Sequence, residues 1–149
     1  MAGEDDEETE LLAAMGREAL AYLERQPWCA SVADGHFGAG IGGAVAAFLF
    51  QVAMRHGEPP ATEWLWVVCG DLPPMYLVAD ALHDPVDVIR AYCDLASDWV
   101  NAARRGGDLT TAFPVGVEPT AEHVSMLASR IAFVRGEIIP ELEARAAMG

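Results

Sequence analysis

Hydrophobic side chains recur along this chain in two patterns, one at helical spacing and one as a continuous run. Over residues 7–26 they recur every three or four positions, which predicts an amphipathic helix. Residues 64–69 are apolar at every position and predict a strand that is buried on both faces. The acid-proline sequence of residues 70–74 then predicts a stiff turn.

Three further segments surround that strand. Residues 27–43 contain five glycines and predict a loop. Residues 44–55 alternate in a way that favours a strand, although their alanine content also suits a helix. Residues 76–79 predict a third short strand.

Two more helices are predicted in the second half of the chain. Asp84 and Pro85 form a helix start, with a capping carboxylate followed by proline at the first helical position. Thr120 caps a last helix, which Pro140 should kink or break. The order of elements predicts an α+β fold, a small antiparallel sheet of two to four strands whose one face is covered by about three helices.

The length of 149 residues favours a single domain. We expect that domain to span residues 7–149, after an acidic flexible tail over residues 1–6. No apolar run reaches about 18 residues, so no membrane span is expected. The acidic start differs from a secretory signal, which favours a cytoplasmic location.

The net charge of −14 limits the classes of partner. Nucleic acid binding needs a basic face, and this composition argues against it. A basic protein partner fits the charge, and the alternative is that the acidity only maintains solubility. Abundant alanine and the absence of lysine suggest a GC-rich bacterial genome.

Residues 38–43 match the glycine pattern G-x-G-x-x-G of dinucleotide-binding loops. That motif works only between a strand and a helix, and residues 29–37 make a poor parallel strand. Glu58 lies at the distance where the motif needs an acid, but beside two prolines. We therefore expect a flexible glycine-rich loop and no cofactor.

Residues 80–87 contain the spacing D-x-x-H-D-x-x-D. Asp80 and His83 are candidate ligands for a divalent metal ion, because carboxylates and imidazole bind such ions. The alternative is structural, since Asp84 and Asp87 suit the first turn of a helix.

The chain has three cysteines, at positions 29, 69 and 93, with no C-x-x-C spacing. In a cytoplasmic protein this predicts reduced thiols, and Cys69 and Cys93 fit small core positions. Cys29 paired with a distant histidine would be a nucleophile, but such pairs are frequent by chance. No catalytic residue is assigned.

The turn that follows the apolar run is the candidate binding site. Asp71 can accept backbone hydrogen bonds there, and loops held by rigid strands commonly carry binding sites. Trp64, Trp66 and Tyr76 would then be surface or pocket aromatics. The alternative is a structural turn beneath a packed core.

Residues 64–76 read W-L-W-V-V-C-G-D-L-P-P-M-Y. This block resembles the W-W-V-[IV]-[CT]-G-D-[LI]-P-x-x-Y signature of a family of small uncharacterised bacterial proteins. The Trp28-Cys29 pair and the helix start at Asp84 are similar to further features of that family, and the resemblance covers residues 20–105. The chain departs from it at Leu65 and in its glycine-rich segment. The resemblance implies a fold and no activity, cofactor or catalytic residue.

The leading functional hypothesis is a non-enzymatic protein-binding module of the immunity or antitoxin type, with a basic, toxin-like partner. The alternative is a small-molecule- or metal-binding domain, with hydrolase activity as one form, that uses residues 70–76 or Asp80 and His83. A third option is a homodimer joined through exposed aromatic residues.

Overall fold

Four antiparallel strands form a sheet, and helices pack against both of its faces. The computed structural model describes residues 6–55, 62–106, 115 and 117–148. In chain order the elements are α1 (Asp6–Glu24), β1 (Cys29–Ile41), β2 (Val45–Met54), β3 (Thr62–Gly70), β4 (Leu72–Val78), a 3-10 turn (Ala79–Ala81), α2 (Pro85–Arg104), α3 (Ala121–Phe133), a π-helical segment (Val134–Ile138) and α4 (Ile139–Met148).

The strands follow the order β1-β2-β3-β4, and each pairs with the next along the chain. Residues 44–55 are a strand as predicted, and residues 64–69 lie in β3, an interior strand. Residues 65–69 of β3 are buried because both faces of the sheet are covered. The predicted α+β class is confirmed.

The two faces of the sheet contact different helices. On one face, Leu12, Met15 and Leu23 of α1 pack against β2 and β3. On the other face, α2, α3 and α4 share a larger core with alternate residues of the same strands. The expectation that the helices cover one face was wrong, because the sheet is apolar on both faces and each must be removed from water.

The predicted loop over residues 27–43 was also wrong, because most of it is β1. Its glycines serve close packing: a Cβ on Gly38 would lie 2.7 Å from the Trp66 ring and 2.9 Å from Pro85. Gly43 has a φ of 81° and forms the turn into β2, so a strand follows the glycine motif where a dinucleotide site needs a helix.

The predicted helix starts are confirmed. The Asp84 side chain accepts a hydrogen bond from the Val86 amide at 2.9 Å, and Thr120 accepts one from the His123 amide at 3.1 Å. Pro140 does not break the last helix, which continues through it as α4; the hydrogen bonding instead becomes π-helical over Val134–Ile138, just before the proline.

Some predicted features lie outside the described residues. These are residues 1–5 of the predicted tail, the turn at 56–60 and most of the loop at 108–119, whereas Asp6 is already the first residue of α1. In the part of the chain that the structure describes, no helix is long and apolar enough to cross a membrane.

Candidate functional site

Trp66 belongs to the core and is not a surface aromatic residue. Its side chain is 5% exposed, and its indole N–H donates a hydrogen bond to the Leu82 carbonyl at 2.8 Å. The expectation that Trp66 is a surface aromatic was therefore wrong, and the alternative role in a pocket stays a prediction. A tryptophan in an apolar run is buried when its one polar atom has a partner within the fold.

Asp71 fixes the β3–β4 turn to neighbouring elements. Its amide donates a hydrogen bond to the Ala44 carbonyl at 2.9 Å. The Arg130 side chain, from α3, donates to the Asp71 carboxylate at 2.8 Å and to its carbonyl at 3.2 Å. These contacts give Asp71 a structural role. The predicted turn over residues 70–74 was too long, because Leu72 already begins β4, which contains both prolines.

Tyr76 lies on the α1 face of the sheet. Its ring is 4.9 Å from that of Trp28 and 6.3 Å from that of Tyr22, between centroids. Burial, reinforced by the nearby Tyr76 hydroxyl, raises the pKa of Tyr22 to about 12. Trp64, two residues before Trp66 on the same strand, lies on the opposite face. The four predicted binding residues are consequently not brought together.

Trp64 does form an exposed cluster with two residues of β1. Its side chain is 39% exposed, and the His36 ring stacks on it with centroids 6.1 Å apart. His36 Nε2 lies 3.0 Å from the Asp34 carboxylate, which also accepts a hydrogen bond from the Gly35 amide at 2.9 Å. We name Asp34, His36 and Trp64 the Trp64 patch.

A groove of about 620 Å³ lies along β1, beginning at the residue that follows His36. We name it the β1 groove, and three elements line it. They are residues 37–40 of β1, residues 83–86 at the start of α2, and Leu142, Arg145 and Ala146 of α4.

The lining of the β1 groove is mainly apolar, with charged groups at a few points. Arg145 lies 3.2 Å from Glu141 and 3.8 Å from Glu8, so two acids oppose its charge. Asp84 adds a third carboxylate at the start of α2. With the acids in excess of the single arginine, the local field favours a ligand with positive charge.

The Trp64 patch and the β1 groove are neighbours along β1, and we name the two together the β1 surface. Residues 34–36 and 37–40 adjoin in β1. Trp64 lies on the same face of β3 as Trp66, which packs in the core shared with α2, and Pro85 and Val86 of α2 line the groove. Sequence analysis found Trp64 and His83 but missed Asp34, His36 and Arg145. The i, i+2 spacing of Asp34 and His36 was the available signal, because it places two side chains on one face of a strand.

Two acids of the predicted metal-binding segment have structural roles. Asp84 caps α2, and Asp87 forms an ion pair with Arg90 at 2.8 Å. Among the residues that the structure describes, no group of three or more His, Cys, Asp or Glu could hold a metal ion. Asp80 lies in the 3-10 turn and His83 lines the β1 groove, and their role as ligands stays a prediction.

The three cysteines are free and buried, which was expected of Cys69 and Cys93 and holds for Cys29 as well. Burial raises the pKa of Cys69 to about 12 and that of Cys93 to about 11, and it also raises the pKa of Cys29. The Cys69 thiol donates a hydrogen bond to the Met15 carbonyl at 3.4 Å. The thiols are therefore protonated near neutral pH, a state that disfavours nucleophilic attack.

Compared with known proteins, the chain matches no family model, no curated protein and no solved structure. The resemblance of residues 64–76 to a bacterial family stays a prediction.

Proposed function

We propose that this protein is a non-enzymatic module that binds a basic protein partner, in the manner of an immunity protein or antitoxin. The observation that carries the proposal is the β1 surface, where an exposed tryptophan, an acid and an apolar groove adjoin on a chain with a net charge of −14. Tryptophan beside an apolar pocket is the usual composition of an interface hot spot.

The distribution of charge supports a basic partner. Four of the nine arginines already form ion pairs with acids of the same chain, namely Arg90, Arg130, Arg135 and Arg145. The acids still exceed the bases by 14. Such an excess accelerates encounter with a positively charged protein and makes the complex sensitive to salt.

The test is binding to the product of the adjacent gene, with purified full-length chains. The dissociation constant should rise about tenfold between about 50 and about 500 mM salt. Co-expression should also relieve any toxicity of that product. Binding that is absent, or that does not respond to salt, together with no relief of toxicity, contradicts the proposal.

Two charge-matched variants locate the interface. Asp34→Lys reverses a charge on the β1 surface, whereas Asp98→Lys makes the same change at an exposed position within α2. The first variant should weaken binding about tenfold more than the second, because only close charges are unscreened at moderate salt. Equal losses would indicate a general charge effect and place no interface at β1.

The β1 groove also supports a second candidate, the binding of a small ligand. Its volume of about 620 Å³ lies within the range of ligand pockets, and its lining is mainly apolar. A thermal-shift screen with Leu142→Trp as the filled-groove control tests this function. A ligand that raises the melting temperature of the wild type and not of the variant supports it, and a screen without such a ligand counts against it.

A further inference from the structure

We propose that the partner binds by strand addition, with an extended basic segment pairing along the outer edge of β1. This inference rests on the proposed function and specifies how the β1 surface would perform it. Strand addition combines main-chain hydrogen bonds, which give affinity, with side-chain pockets, which give specificity.

The two edges of the sheet differ in how they are protected. At the β4 edge, Pro73 and Pro74 lack amide hydrogens, and the Pro73 carbonyl accepts a hydrogen bond from the Tyr92 hydroxyl at 2.7 Å. Prolines and a covered carbonyl prevent pairing there. β1 spans 13 residues without proline, and among the described residues it pairs with β2 alone.

The longest regularly paired part of β1 lies within the β1 surface. The register against β2 shifts between residues 29 and 31, between 32 and 34, and between 37 and 39. Residues 34–37 lie between two of these shifts and pair in unbroken register with residues 48–51. An added strand thus meets four residues in regular register, which include Asp34 and His36 of the Trp64 patch and lead into the β1 groove.

The hydrogen bond that the Gly35 amide makes indicates where an added strand would pair with β1. This amide donates to the side chain of Asp34, at 2.9 Å. A carboxylate on an edge strand is a common device against unwanted pairing. A carbonyl of the incoming segment would replace Oδ1 of Asp34 at the Gly35 amide, and that oxygen would then be released toward a basic side chain that lies over Trp64, while Oδ2 keeps its contact with His36.

The charge of the chain favours a basic segment over a second copy of this protein as the added strand. A second copy of this protein would bring a further net charge of −14 and a second Asp34 to the same edge. An arginine- or lysine-containing segment is attracted by Asp34 and can make a cation–π contact with Trp64 by displacing the His36 ring that stacks on it. Its apolar residues would enter the β1 groove.

The experiment uses the full chain and a synthetic peptide of about ten residues in which arginine and valine alternate, a typical strand length with charged and apolar faces. The control has the same sequence with alternate amide nitrogens methylated. Methylation retains the charge and removes the donors that a strand needs. Affinity is measured by titration, and hydrogen exchange of the Gly35 amide is followed by NMR.

Strand addition predicts that the unmethylated peptide slows exchange at Gly35 about tenfold or more and binds about tenfold more tightly than the control. Equal affinities overturn it, as does unchanged exchange at Gly35. Self-association of the chain through β1, detected by light scattering, would show that a second copy pairs with this edge and would contradict the assignment of a basic segment.

The outcomes separate this inference from the proposed function. If the adjacent gene product binds while Gly35 exchange is unchanged in that complex, strand addition fails and the protein-binding role stands. If the peptide protects Gly35 but the gene product does not bind, strand addition is supported and the proposed function loses its partner.

Discussion

The indole N–H of Trp66 donates a hydrogen bond to the Leu82 carbonyl across 2.8 Å. This bond joins the interior strand β3 to the segment that leads into α2. His83, Asp84 and Pro85 follow directly and form one wall of the β1 groove. A core residue therefore holds the wall of the candidate site in place.

Trp66→Phe should reduce the free energy of unfolding by about 2 kcal/mol, because the Leu82 carbonyl loses its donor and a smaller ring leaves a gap. Urea denaturation measures the change. Trp64→Phe is the control, since an exposed position should change stability by less than about 0.5 kcal/mol. Equal effects of the two substitutions would contradict the roles assigned to these tryptophans.

Gly38→Ala should destabilise the fold by about 1–3 kcal/mol, because the added methyl group would meet the Trp66 ring, Pro85 and the Ala47 carbonyl at 3.0 Å or less. Gly136→Ala is the matched control. Gly136 has open space around its Cβ position, and alanine in a helical segment should leave stability unchanged or raise it by about 0.5–1 kcal/mol. Thermal and urea unfolding of both variants provide the comparison. A neutral Gly38→Ala would show that β1 does not approach Trp66 closely.

Stability should fall in alkaline solution. The pKa of Cys69 is raised from 9.0 to about 12 in the folded chain because burial disfavours the thiolate. Because the pKa of this thiol is higher in the folded than in the unfolded chain, its contribution to the free energy of unfolding is complete below pH 9. That contribution is lost as the pH rises toward 12. Urea unfolding as a function of pH should show this decline, and Cys69→Ala should make it shallower. If the decline is unchanged in the variant, other groups cause it. Tyr22 is one such group, since its pKa is also raised to about 12.

Trp64→Ala should weaken binding of the basic partner by about tenfold or more, since exposed tryptophans dominate interface energies. Trp64→Phe should lose less, because an aromatic face remains for stacking. Both variants should keep the stability of the wild type, so the loss is assigned to the contact. Unchanged affinity in Trp64→Ala would remove the Trp64 patch from the interface.

Asp71→Asn tests the turn as a structural element. The Asp71–Arg130 pair is exposed at both ends, so its loss should change stability by less than about 1 kcal/mol. Binding of the partner should be unchanged, because Asp71 lies outside the β1 surface. Weaker binding at equal stability would restore Asp71 as a binding residue.

Strong local signals were sufficient for much of the fold. The continuous apolar run at residues 64–69 identified β3, and the cap formed by Asp84 and Pro85 identified the start of α2. β1 was missed because five glycines at residues 27–43 resemble a loop. Tertiary packing requires these glycines. Cβ atoms on Gly35, Gly38 and Gly40 would collide with Phe50, Trp66 and Ala46, respectively, and no local sequence pattern shows this.

The candidate site was less accessible to sequence reasoning. Trp64 was predicted as a binding residue because it is aromatic. Its neighbour in space, His36, lies 28 positions away in the chain. The β1 groove also requires Arg145, which α4 brings back to β1 from more than 100 residues away. Such proximity follows from the packing of layers, and spacing in the sequence does not encode it.

The most direct test of the β1 surface as the interface is hydrogen–deuterium exchange of the full chain, alone and in complex with the product of the adjacent gene. An interface at the β1 surface should slow exchange in residues 29–41 and 83–86 and leave α1 and α3 unchanged. Protection confined to α1 or α3, with β1 exchanging as in the free protein, would contradict it.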